Sequence, residues 1–136
     1  METAVVAPLL VLLFLGAVDM GQYANCYQKV SDAAREGARF AARFEVADAS
    51  QVQTTVMEYM EDRFPGISES TLQQASQVTV RDGNGNVITG GNLGMIESGA
   101  PVEVNVRLEY NAVRWIGGLK FLADRDVQIT SVMRRE

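Results

Sequence analysis

Apolar residues are spread very unevenly along this chain, and that unevenness is its first structural signal. Thr3 to Val18 (TAVVAPLLVLLFLGAV) carries no charge, and from Thr3 to Ser31 only Asp19 and Lys29 are charged. A helix over that uncharged run covers roughly 24 Å at about 1.5 Å per residue, a little under the roughly 30 Å of a hydrocarbon core unless Met20 and its flanks join in. The pattern predicts a segment that can sit in a bilayer. After Gly21 it changes: Tyr23, Tyr27, Val30, Ala34, Ala38, Ala41 and Ala42 recur at three- and four-residue steps, with Gln28, Asp32, Arg35, Glu36, Arg39 and Arg43 elsewhere. One helix is therefore expected from Glu2 to about Glu45, apolar on every side in its first half and on one face in its second. Pro8 removes a backbone donor, and Gly16 and Gly21 each lower helix propensity by about 1 kcal/mol relative to alanine, so these are the expected places to bend or unwind.

Downstream the period shortens. Ser50-Gln-Val-Gln53 fits a capping box, and Val52, Val56, Tyr59, Met60 and Phe64 follow at helical spacing until Pro65-Gly66, predicting a second, shorter helix. Gln77 to Arg81 alternates valine with polar residues, Asp82-Gly-Asn-Gly-Asn86 reads as a turn and Val87-Ile-Thr89 as a short return strand, which together make a hairpin. A glycine-rich loop, Gly90 to Gly99, precedes the strongest strand signal, in which Val102, Val104, Val106, Leu108 and Tyr110 alternate with Glu103, Asn105, Arg107 and Glu109. Val127, Ile129 and Met133 continue the pattern in a last strand, where Ser131 and Val132 blur which side faces inward. The expected fold class is α+β: a long N-terminal helix (residues 1–46) packed by a headpiece (residues 47–136) with a small, mainly antiparallel sheet and one further short helix.

Composition narrows the function. At 136 residues there is room for one modest domain. A formal charge of -5, with the cations scattered, argues against nucleic-acid binding. Histidine is absent, which removes the commonest general base and transition-metal ligand; with no Ser/Lys dyad signal or metal cluster either, an enzyme is not expected, nor any cofactor. The single cysteine, Cys26, forbids an internal disulfide and is expected to be a buried, inert thiol.

Other candidate chemistry is weak. Asp82-x-Asn84-x-Asn86 superficially opens a calcium loop, but Val87 stands at the sixth position and Leu93 at the twelfth, so a turn is the expectation. Trp115-Ile-Gly-Gly-Leu-Lys-Phe-Leu122 is too apolar for an ordinary loop and is expected to cap the core; the other reading is an adhesive surface patch.

The run Glu2-Thr-Ala-Val-Val-Ala-Pro8-Leu-Leu, then Gly16-Ala-Val-Asp19-Met-Gly21, then Ala33-Ala-Arg35-Glu36-Gly37-Ala-Arg39 resembles TadE-like proteins of tight-adherence pilus systems, pseudopilins with an early acid, a proline in the apolar helix and a second acid closing it. The resemblance extends to the C-terminal strands and the closing Met-Arg-Arg-Glu. It implies a structural subunit of an extracellular filament with roles in surface attachment. Such a subunit would be held in the inner membrane before assembly, trimmed by a prepilin-type peptidase and bundled with copies of itself and other pilus-assembly components. No lysine or arginine precedes the apolar run to orient it, so a basic leader is expected to have been removed or to have been missed when the start was assigned. The resemblance usually places the early glutamate near the fifth mature position, whereas here it is Glu2.

For Glu2 the resemblance implies pairing with a neighbour's N-terminal amine; a solvated carboxylate at a helix N-terminus is the plainer reading. Asp19 either marks the membrane boundary or pairs with Lys29 or another subunit's arginine. Arg35, Glu36 and Arg39 either form a solvated helix face or bridge subunits where Gly37 permits close approach. With Pro8 and Gly16 these are the candidate assembly residues. The competing function is a monomeric single-pass envelope protein whose headpiece binds a partner or glycan.

Overall fold

Neither proline nor glycine interrupts the first helix. In the structure, a computed structural model that describes residues 3–43, 45–115 and 124–136, helix α1 runs unbroken through Thr3–Ala41, past Pro8, Gly16 and Gly21. Its 39 residues extend about 58 Å at about 1.5 Å per residue. From Cys26 onward one face is buried: Cys26, Val30, Ala33, Ala34, Ala38 and Ala41 recur at helical spacing, and their small side chains let the headpiece close tightly on the helix. Tyr27, expected on that face, is instead half exposed.

Helix α2 (Ala49–Arg63) packs along α1 and buries Ala49, Val52, Val56 and Met60. Its N-cap is Asp48, whose carboxylate accepts from the Ser50 amide at 2.9 Å, so the expected capping box at Ser50 is not used and Ser50 lies inside the helix. The helix ends at Phe64, and Gly66, at φ +95°, turns the chain. Helix α3 (Glu69–Ala75), not expected from the sequence pattern, is capped by Ser68 and buries Leu72 and Ala75.

Three antiparallel strands form one sheet in the order β1 (Ser76–Asp82), β2 (Pro101–Glu109), β3 (Asp126–Arg134). The register places Val106 between Val78 and Ile129, and Val104 between Val80 and Ser131. Val102, Val104, Val106 and Leu108 are fully buried on the face that α1 covers, as their alternation predicts. Ser131 shares that inward side while Val132 is half exposed, which resolves the blurred pattern of β3. The opposite face is polar, with Arg107 paired to Asp126 and the Asn105 amide donating to the Thr130 hydroxyl at 2.7 Å.

The expected hairpin is only half formed. Val87 makes a single bridge to Arg81, and the Ile88 amide donates to the Val80 carbonyl at 2.8 Å, on the edge of β1 that β2 leaves open, but no return strand follows. The chain leaves that edge for the 3-10 turn that begins at Gly90. Ile88 alone turns into the core and Val87 is exposed. Part of the glycine-rich loop is a short 3-10 helix, Gly90–Met95, that buries Leu93. Strand β2 ends at Glu109, and Tyr110 opens a one-turn helix, α4 (Tyr110–Val113). A single cluster of buried residues runs from Cys26 to Val127, so the second half of α1 belongs to the headpiece core.

Candidate assembly helix and headpiece junction

The first half of α1 touches almost nothing. Val5, Val6, Leu9, Leu10, Val11, Leu12, Leu13 and Phe14 are between 50% and 74% exposed, and the consecutive run from Leu9 to Phe14 covers the whole circumference of the helix. Burying such a side chain is worth about 1.5–3 kcal/mol, so leaving eight of them largely in water costs on the order of 10 kcal/mol. That rivals the total stability of an ordinary domain, about 5–15 kcal/mol. This surface therefore needs an apolar environment from outside the chain. The helix is long and apolar enough to cross a membrane, with 6% of its most apolar window buried against the rest of the protein.

Asp19 is where the headpiece first grips the helix. The Tyr110 hydroxyl donates to its Oδ1 at 3.1 Å and to its backbone carbonyl at 3.2 Å, and the Tyr110 ring meets Tyr23 edge-on at 5.2 Å between centroids. Asp19 is 7% exposed and Tyr110 1%. Burial pushes the Tyr110 hydroxyl up to about 12, and the Asp19 hydrogen bond and charge act in the same direction. Oδ2 of Asp19 and both side-chain polar atoms of Gln22 are buried without a hydrogen-bond partner among the described residues. The expected partner Lys29 is elsewhere: its ammonium lies 4.7 Å from the Phe64 ring centroid, tying α1 to the end of α2.

The remaining candidates are spread along the helix. Glu2 lies outside the described residues. Pro8 is exposed within the apolar half, and a Cβ on Gly16 would meet nothing within 4 Å, so packing inside the chain does not require that glycine. Arg35 pairs with Asp32 at 3.9 Å and Arg39 with Glu36 at 3.8 Å, exposed intrahelical pairs worth a few tenths of a kcal/mol each. Gly37 is buried inside the chain: a Cβ there would overlap the Val56 side chain and stand 3.2 Å from Val104. The close approach it permits is between α1, α2 and β2.

Cys26 is buried, as expected. Asp82 holds its own turn: Oδ1 accepts from the Asn84 and Asn86 amides at 2.9 and 2.8 Å and Oδ2 from the Asn86 side chain at 3.1 Å. These bonds, those from Asn86 foremost, hold its carboxyl below the usual value. Trp115 is 80% exposed, which corrects the expectation that it caps the core; residues 116–122, the rest of that apolar segment, lie outside the described residues. Arg135 was missed altogether. It is 4% exposed and donates to the carbonyls of Leu93 and Val46, the latter at 3.0 Å, fastening the C-terminus to the end of the spine.

An unbroken helix, bare and apolar for its first half and built into an α+β core for its second, defines a protein that presents an N-terminal helix to an apolar environment and carries a headpiece on it. Residues 1–39, a stretch that takes in most of that helix, match the family model of TadE-like protein. The resemblance read from the sequence is borne out over this segment, and the TadE-like match suggests involvement in tight-adherence pilus systems. No curated protein and no solved structure matches the chain.

Proposed function

We propose that the chain is a structural subunit of an extracellular pilus filament: α1 anchors it in the inner membrane, a prepilin-type peptidase trims it, and bundling of the apolar half of α1 with neighbouring copies then builds the filament. The observation that carries this reading is the all-round exposure of Val5 to Phe14 on a helix whose other half is locked into the core. Such a surface suits lipid first and neighbouring helices afterwards. Exchanging one for the other gains little hydrophobic energy, so close packing and charge set the register; Gly16 leaves a flank open for close approach, and Glu2 supplies the early acid.

The test is electron microscopy and immunoblotting of material sheared from cells that carry the native chain or Glu2→Gln. Native cells are expected to yield filaments containing the chain. The variant should accumulate in the membrane at normal levels and yield none. Absence of the chain from sheared filaments would favour a monomeric envelope protein instead, and normal filaments from the variant would remove Glu2 from assembly.

A further inference from the structure

We propose that the groove at the foot of the headpiece, with Trp115 at its rim, is a seat for the lipid headgroup layer, so that this face lies on the bilayer surface while the subunit waits in the membrane. The inference rests on α1 spanning that membrane. The groove, about 430 Å³, is walled on one side by Gln22, Asn25 and Lys29 of α1 and floored by Phe64 and Ile67. Along the helix Gln22 lies about 4.5 Å and Lys29 about 15 Å beyond Asp19, at about 1.5 Å per residue. The headgroup layer on each side of a bilayer is roughly 5–8 Å thick. If the apolar run ends at the hydrocarbon boundary, the groove begins inside that layer and rises out of it.

Its chemistry fits that position. Trp115, the chain's sole tryptophan, is 80% exposed beside it, and an amphipathic indole is best placed at headgroup level. Among the described residues the lining holds the cationic side chains Lys29 and Arg114 and no carboxylate, in a chain whose formal charge is -5. An anionic headgroup therefore meets attraction here and repulsion from most of the remaining surface.

Because Trp115 is unique, the full chain reports its own docking. It is reconstituted into vesicles containing phosphatidylglycerol, with bromine placed on the lipid chains either close to the headgroups or near the bilayer centre. Trp115 fluorescence should be quenched at least about twofold more strongly by the shallow bromines and be shielded from aqueous iodide. Iodide quenching without lipid quenching overturns the proposal. Shielding that grows with the protein-to-lipid ratio, without lipid quenching, overturns it too and assigns the groove to a second copy. A Trp115→Phe chain carrying Leu10→Trp reads the helix separately. Deep quenching at position 10 with none at Trp115 removes only the docked face, whereas no quenching at position 10 removes the membrane-spanning reading beneath it.

Discussion

Replacing Tyr110 by phenylalanine isolates the contact that joins the helix to the headpiece. The substitution keeps the ring against Tyr23 and deletes only the hydroxyl that donates to Asp19 Oδ1 and to the Asp19 carbonyl. A hydrogen bond to a charged group contributes about 1.5–3 kcal/mol, and here its loss leaves a buried carboxylate with neither oxygen bonded among the described residues, so a value in that range is expected. For a chain of this size about 1 kcal/mol moves the melting temperature by roughly 4 °C, giving a fall of roughly 6–12 °C. Thermal melts of the full chain in detergent, followed by circular dichroism, measure it; Tyr23→Phe, which keeps the same ring pair, is the control. The sign with pH is fixed as well. A hydroxyl raised from 10 to about 12 on folding contributes stability that is fully present below about pH 10 and lost as pH rises through about 12. The gap between native and Tyr110→Phe should therefore be flat near neutrality and close across that alkaline window. A variant that melts within about 1 °C of the native chain at pH 7 would refute the junction's energetic role.

Three further substitutions test the frame around it. Gly37→Leu forces a side chain into Val56 and Val104 and should destabilise by about 1–3 kcal/mol in urea unfolding, whereas a leucine facing only solvent or other subunits would leave the unfolding midpoint unchanged. Arg135→Ala strips donors from the carbonyls of Leu93 and Val46; a loss of about 2–4 kcal/mol is expected, with faster amide exchange concentrated in residues 45–48 and 90–95. Asp82→Ala removes the acceptor of the 82–86 turn, so the Asn84 and Asn86 amides should exchange quickly at every pH. In the native chain, where the folded carboxyl is held below its ordinary 3.8, their protection is complete above that value and is lost as pH falls through the lowered one. Protection that persists in the variant would show that the turn does not depend on Asp82.

What could be read from the sequence was whatever depends on local pattern. The apolar half of α1 needed no tertiary information, because sixteen uncharged residues are lipid-like by composition, and the alternation of Val102, Val104, Val106 and Leu108 fixed which face of β2 is inside. The rest depends on partners far away in the chain. Tyr110 looked like one more inward strand position, yet its hydroxyl answers Asp19, 91 residues earlier. Arg135 reads as part of a basic tail until Leu93 and Val46, 42 and 89 residues away, supply the carbonyls that bury it. Gly37 shows the same limit from the other direction: a glycine in a helix signals close approach, but only the fold identifies Val56 and Val104 as the approaching groups. The return strand at Val87 stops at a bridge because, of residues 87–89, only Ile88 reaches the core before the chain turns into the 3-10 helix at Gly90, and α3 is so short that its Ser68 cap is most of its signal.

The position of the junction limits how such a subunit can move. From Asp19 onward α1 is held by Tyr110, by Lys29 against Phe64 and then by the core, so helix and headpiece form one body from that point. The stretch before Asp19, which holds Pro8 and Gly16, has no such restraint and can bend or rotate to suit lipid or a bundle without disturbing a headpiece contact. Transfer between those environments then changes the surroundings of the bare stretch alone. If the foot of the headpiece is seated on headgroups, that seat must be given up during the same transfer, because a rigid junction cannot lift the helix and leave the headpiece behind. Docking at Trp115 and bundling of α1 would thus be alternative states of one subunit, and anything that holds the first delays the second.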